Sequence, residues 1–271
     1  MDEATRQQRR QRHREQLKAG RALMTTGLGL EPARADVIAV AQVLKAKLSE
    51  RDNQRRASEA AALAQSLNET SLTARPPVRV TIACCKGCSY CCYGFVGILP
   101  AEAFRLAEAV RAGRSGKLDV VTVRARAAPL RGLGPGERIG AKLACPLLGD
   151  GGLCSVYADR PLVCRQATSL SLPACIEEFE GVDPEGRIEV STVHLAHSSN
   201  AHVVLLGALA AAGLPTDAYE LSAALDVALA EPQAEQRWLG GEDIFAGLPR
   251  NVTRPGEVTA VANAIAQALR G

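Results

Sequence analysis

Apolar residues recur at helical spacing in blocks separated by glycine and proline. Val37, Val40, Ala41, Leu44 and Leu48 fall on one face, which predicts an amphipathic helix over 33–49. An alanine-rich block predicts a second over 54–67. Pro100 occupies a favoured first helical position with Glu102 in the first turn, and Phe104, Ala107 and Val110 line one face of the helix that follows. Further helices are predicted over 117–128, 198–212, 217–230 and 256–269. Leu221, Leu225 and Leu229 repeat on one side of 217–230, and Val258, Val261, Ile265 and Leu269 on one side of 256–269.

Alternation of period two is scarce. Val78–Ile82 is β-branched and predicts a short strand, Tyr93–Leu99 reads as apolar and extended, and Arg187–Thr192 predicts another small strand. Residues 129–140 carry Pro129, Gly132, Gly134, Pro135, Gly136 and Gly140 and read as a loop. The stretch 145–175 is punctuated by Pro146, Gly149, Gly151, Gly152, Pro161 and Pro173, so regular structure there must be short. Residues 1–24 are rich in arginine, interrupted by Asp2, Glu3 and Glu15, and suit a solvated helix. The expected fold is mainly α: helical, bundle-like packing around a loop-rich core that carries the cysteines, with one or two short strands. Arg75-Pro76-Pro77 suggests a division into an N-terminal helical extension (1–75), a cysteine-cluster domain (76–196) and C-terminal helices packed on the same domain (197–271).

Composition narrows the function classes. Aromatics are only 3% of the 271 residues, so the core must be built mostly of Ala, Leu and Val. A net charge of +3 without interleaved aromatic and basic residues argues against nucleic acid as partner. The most apolar run, Val203–Leu214, is shorter than the roughly 20 residues a bilayer span needs, and the charged N-terminal stretch lacks the apolar centre of a signal peptide. No membrane association is expected, and the expected location is cytoplasmic, where thiols stay reduced. Nine cysteines, an odd number, in a reducing compartment weigh against a disulfide framework.

The chemistry concentrates in Cys84-Cys85-Lys86-Gly87-Cys88-Ser89-Tyr90-Cys91-Cys92, where five of the nine cysteines occur. Counted from Cys85 the spacing is C-x-x-C-x-x-C-C, and a two-residue gap lets the chain wrap two sulfurs onto one centre, with Gly87 supplying backbone freedom. The Cys91-Cys92 doublet strains any single tetrahedral ion, because adjacent side chains project apart. Cys92 would then serve a second centre. Cys85, Cys88, Cys91, Cys92, Cys145, Cys154, Cys164 and Cys175 could supply two four-thiolate centres, or one with spares. Cys84 is expected to be a buried structural thiol. Lys86, Arg160 and Arg165 stand beside cysteines and could offset thiolate charge, or could instead pair with Asp159 and Glu177. His194, His197 and His202 are read as hydrogen-bonded structural residues, and Trp238 as an anchor of the C-terminal helices.

Cys85-x-x-Cys88-x-x-Cys91-Cys92, Cys145-Pro146-Leu147-Leu148, Gly152-x-Cys154-Ser155-Val156-Tyr157 and Asp159-Arg160-Pro161-Leu162-Val163-Cys164-Arg165 together resemble the CxxCxxCC (YkgJ-like) zinc- or iron-chelating domain family. The resemblance covers Cys85 to Cys175 and implies metal chelation by those eight cysteines. The expected cofactor is iron, as an iron–sulfur cluster, or zinc, with a role in redox chemistry or metal handling. Two alternatives stand beside it: a structural zinc module that binds a protein partner, and an enzyme similar to the lysine N-methylases of one branch of the family. No nucleophile elbow and no H-E-x-x-H motif occurs.

Overall fold

The computed structural model describes residues 35–73, 81–182, 188–251 and 256–271. The expected strand over Val78–Ile82 falls mostly outside these residues, as does the N-terminal helix over 1–24. The chain is mainly α, with eleven α-helices and one two-stranded sheet among the described residues. In chain order the helices are α1 (Ala35–Leu48), α2 (Arg56–Thr73), α3 (Pro100–Arg111), α4 (Val120–Ala127), α5 (Pro135–Gly140), α6 (Leu162–Gln166), α7 (Leu172–Glu180), α8 (Thr192–Ala211), α9 (Leu221–Ala230), α10 (Ala234–Leu239) and α11 (Gly256–Arg270). Strands β1 (Gly97–Ile98) and β2 (Tyr219–Glu220) pair antiparallel, with Gly97 opposite Glu220 and Ile98 opposite Tyr219.

Helix α8 is the axis of the packing. Ala201, Val203, Val204, Leu205, Leu206, Ala208 and Leu209 are all buried, as expected of a helix apolar around most of its circumference. Helices α1, α2, α6 and α11 pack on it, and α3 packs on α2 and α9. The helices can approach closely because facing positions are small. A Cβ added at Gly207 of α8 would come within 2.6 Å of Ile265 Cγ2 on α11. Alanines at 57, 60, 61 and 64 give α2 an equally slim buried face.

Several elements begin or end where tertiary contacts, not local pattern, dictate. Helix α2 runs to Thr73 instead of stopping near 67. Its last turns are held by polar contacts to α8: Ser198 Oγ donates to Asn68 Oδ1 at 2.9 Å, and His197 Nδ1 lies 2.8 Å from Ser71 Oγ. Helix α8 starts at Thr192, six residues before the expected position, and the strand expected over Arg187–Thr192 reduces to a single bridge between Val190 and Ser169. The loop expected over 129–140 contains α5, because Pro135 opens a turn and the Glu137 carboxylate accepts a hydrogen bond from Gly134 N at 2.9 Å. The segment expected to be helical from 217 opens instead as β2, whose Glu220 then caps α9 by accepting from Ala223 N at 2.9 Å. Trp238 is 2% exposed and packs against Phe104 with ring centroids 5.5 Å apart.

Candidate metal centre

All nine cysteines are free thiols, and they lie on short elements draped over the helical core. Ser89 leads into a 3-10 turn, Tyr90–Tyr93, that carries Cys91 and Cys92. The turn before it is closed by Cys88 N donating to Cys85 O at 3.1 Å, with Gly87 at φ +90. Gly152, at φ +73, meets this turn from the second cysteine stretch; a Cβ there would lie 2.4 Å from Gly87 O. The two cysteine-bearing segments therefore touch backbone to backbone through a pair of glycines.

The second stretch folds into a tight hairpin. Leu148 bridges to Cys154, Gly149 N donates to Leu153 O at 2.7 Å and Ser155 N to Leu147 O at 3.0 Å. This brings Cys145 beside Cys154. Cys145 N also donates to Cys92 O at 2.8 Å, which places the doublet against the hairpin. Cys164 arrives on α6, and α6 is packed on α8. Cys145, Cys154 and Cys164 are half-buried against the apolar core.

The first stretch makes a separate set of contacts. Ser169 N donates to Cys84 Sγ at 3.2 Å, and Ala83 N donates to Ser169 O at 2.9 Å. The Ser169 hydroxyl donates to Ser171 O at 3.1 Å and accepts from Ser171 N at 3.0 Å, just before α7, the helix that carries Cys175. Cys84 is exposed and not the buried structural thiol expected, because its sulfur is turned to the rim of the site beside Ser169. Cys85 is exposed as well.

Burial and local donors act on the sulfurs in opposite directions. The Ser169 amide donates to Cys84 Sγ at 3.2 Å, and the amides of Leu147 and Val156 act to lower the pKa of Cys145 and Cys154 against burial. An amide two residues beyond its own cysteine, as at Cys145 and Cys154, stabilises thiolate over thiol. The Cys92 thiol donates to the Cys91 sulfur, which together with Arg160 holds the Cys91 pKa down at about 7. Cys92, as the donor, is pushed up, and burial adds to that. Burial also raises Cys164, Cys154, Cys84 and Cys175, and lifts Cys145 to about 12. Low-dielectric surroundings disfavour so many thiolates unless a cation offsets their charge.

One cation is already in place. Arg160 acts electrostatically on Cys84, Cys91, Cys154 and Cys164. Its guanidinium stacks 3.8 Å from the Tyr157 ring centroid, and its buried Nε has no hydrogen-bond partner. The carboxylates near it in sequence are engaged elsewhere: Asp159 pairs with Arg105 at 2.6 Å and Arg114 at 3.1 Å. Arg165 does not serve the thiols; it pairs with Glu69 and donates to the carbonyls of Arg160 and Ala158. His194 and His197 are hydrogen-bonded to Ser191 and Ser71, in keeping with structural roles. A half-buried arginine that pairs with no carboxylate among the described residues, facing soft donors, fits a thiolate-bound cation or cluster. Among the described residues, no group of three or more His, Cys, Asp or Glu side chains is placed so that it could hold a metal ion.

Residues 84–185 match the family model CxxCxxCC, "Putative zinc- or iron-chelating domain". No curated protein and no solved structure matches the chain. Within the matched segment, the feature that sequence reading missed is the glycine contact between 87 and 152. The Gly152-x-Cys154 spacing was its only trace, since the partner lies 65 residues away in the chain. Among the described residues, no helix is long and apolar enough to cross a membrane.

Proposed function

We propose that the chain is a cysteine-ligated metalloprotein whose CxxCxxCC domain holds iron, as an iron–sulfur cluster, or zinc, and that it serves redox chemistry or metal handling. The observation that carries this reading is the setting of Arg160: a guanidinium with a partnerless buried Nε, within electrostatic reach of four cysteines from both cysteine stretches. A half-buried guanidinium beside sulfur is favoured when those sulfurs carry charge, and the anions within reach are thiolates. A bound cation would draw the remaining thiols into the thiolate form against the burial that now raises them.

Elemental analysis and a visible spectrum of protein purified without oxygen test the proposal. Iron with inorganic sulfide and broad visible absorbance supports the cluster, whereas colourless protein containing zinc selects the zinc form. Protein that stays metal-free, and remains so after reconstitution with either metal, overturns the reading.

A further inference from the structure

The second cysteine stretch crosses the first where Cys145 N donates to Cys92 O. The Arg138 side chain spans that crossing. Arg138, on α5, is 1% exposed, and its Nη1 donates to Tyr93 O at 2.9 Å and to Leu143 O at 2.5 Å. The first carbonyl belongs to the residue after Cys92, and the second to the segment that leads directly into Cys145. Arg138 Nε has no hydrogen-bond partner and lies 3.7 Å from the carboxylate of Glu220, which is also 1% exposed.

Glu220 holds the far end of the same segment. It pairs with Gly97 in the two-stranded sheet, and Leu221 N donates to Val96 O at 2.8 Å. Its carboxylate is tied to α9 by Ala223 N at 2.9 Å and Ser222 Oγ at 3.2 Å. Residues 93–97, which leave the Cys91-Cys92 turn, are thus fixed at the start by Arg138 and at the end by β2. The turn before Cys145 is strained as well. Among the described residues Lys142, at φ +50, is the one non-glycine residue with positive φ, and it stands between Arg138 and Leu143. Such a conformation persists only where its surroundings fix it, and the bond from Arg138 across the turn does so. Arg138 and Glu220 act on the Cys145 thiol in opposite directions, so the pair bears on it by placement more than by charge.

Resting on the metal-binding reading, we propose that Arg138, backed by Glu220, is the positioning residue of the cysteine site: it locks the crossing of the two cysteine stretches, and metal affinity depends on that lock. A buried arginine–carboxylate pair is a weak source of stability, since an apolar pair of similar volume often serves as well. An apolar pair cannot donate to carbonyls of two separate segments at once, and a guanidinium can. Loss of Arg138 frees Tyr93 O and Leu143 O together, and with them the backbone on either side of the Cys145–Cys92 bond.

The test uses the double variant Arg138→Met/Glu220→Gln, which leaves neither charge buried alone. Residue-resolved amide hydrogen exchange is read at Cys145, which bonds across the crossing, and at Gly149, whose amide bonds Leu153 O inside the hairpin and serves as the reference. Metal affinity is read by competition against a coloured chelator. Exchange at Cys145 should become about 10–100-fold faster while Gly149 keeps its wild-type rate, and metal should bind about 10–100-fold more weakly. If the double variant fails to fold, Arg138→Lys, which keeps the charge on a shorter reach to the carbonyls, takes its place with the same readouts. Unchanged exchange at Cys145 overturns the lock, and so does equal acceleration at Cys145 and Gly149, which marks a general loss of stability. Faster exchange at Cys145 with wild-type metal affinity overturns the link to the metal. Metal-free wild-type protein defeats the underlying reading, and the exchange rates then still decide whether Arg138 holds the crossing.

Discussion

The Glu102 carboxylate on α3 accepts a hydrogen bond from Leu162 N at 2.8 Å, 60 residues away, and a second from Leu99 N at 3.0 Å. It thereby caps two helices at once, its own and α6, the short helix that delivers Cys164. Both oxygens are buried, so truncation leaves two amide donors unsatisfied. Glu102→Ala should destabilise the fold by about 2–6 kcal/mol, taking roughly 1–3 kcal/mol per orphaned group, and should loosen Cys164 as well. Urea unfolding with metal content measured in parallel checks both effects.

The same carboxyl gives a pH signature. Burial raises the Glu102 pKa above the usual carboxylate range, and the two amide bonds oppose that shift without cancelling it. The folded state thus holds the proton more tightly than the unfolded chain does. The resulting stability is fully present below the ordinary carboxylate pKa and is lost as pH rises through the raised folded value. A Glu102→Gln variant should lack this component, so its stability difference from wild type should shrink with rising pH across that window. A constant difference would show that Glu102 does not titrate in the folded protein over this range.

Arg160 should matter to the thiols and not to the fold. Replacing a charged neighbour of a metal site commonly weakens metal affinity by about 10–100-fold. Arg160→Gln is expected to fall in that range, with Arg160→Lys milder because the charge remains. Competition against a coloured chelator measures the change. Arg165→Gln, by contrast, should affect stability through its contacts to Glu69 and the 158–160 carbonyls, with metal affinity nearly unchanged.

The contact between Gly87 and Gly152 can be separated from plain backbone strain. Gly151 and Gly152 both adopt positive φ, at +63 and +73, but only at Gly152 would a Cβ collide with backbone. Gly151→Ala should cost about 1 kcal/mol, the left-handed penalty alone. Gly152→Ala should cost clearly more and should lower metal content, because Gly87 O must move and carry the Cys85–Cys88 turn with it. Equal effects from the two variants would argue against the contact.

Gly207→Ala tests the helical core. The added methyl meets Ile265 at 2.6 Å, and overpacking of this kind costs about 1–3 kcal/mol. Combining it with Ile265→Ala should give a double variant more stable than the sum of the two single losses predicts, since the second change opens the space the first requires. Thermal melts of the three variants provide the measurement.

The helical character, the short elements around the cysteines and the metal-binding chemistry were all readable from the chain. Period-3.6 blocks, Pro100 with Glu102, and the spacing from Cys85 to Cys175 are local or compositional signals, and they act over a few residues. Helix ends were less readable, because α2 is prolonged by Asn68 and Ser71 bonding to α8, and β2 forms only where β1 is brought beside it. The exposure of Cys84 beside Ser169, the detachment of Arg165 from the thiols and the freeing of Arg160 from Asp159 were decided by the tertiary structure alone. Each depends on groups such as Ser169, Glu69, Arg105 and Arg114, placed by packing between segments tens of residues apart. Sequence spacing determines which sulfurs can reach a common region. Which neighbouring donors and charges meet them there is set by how the helices pack.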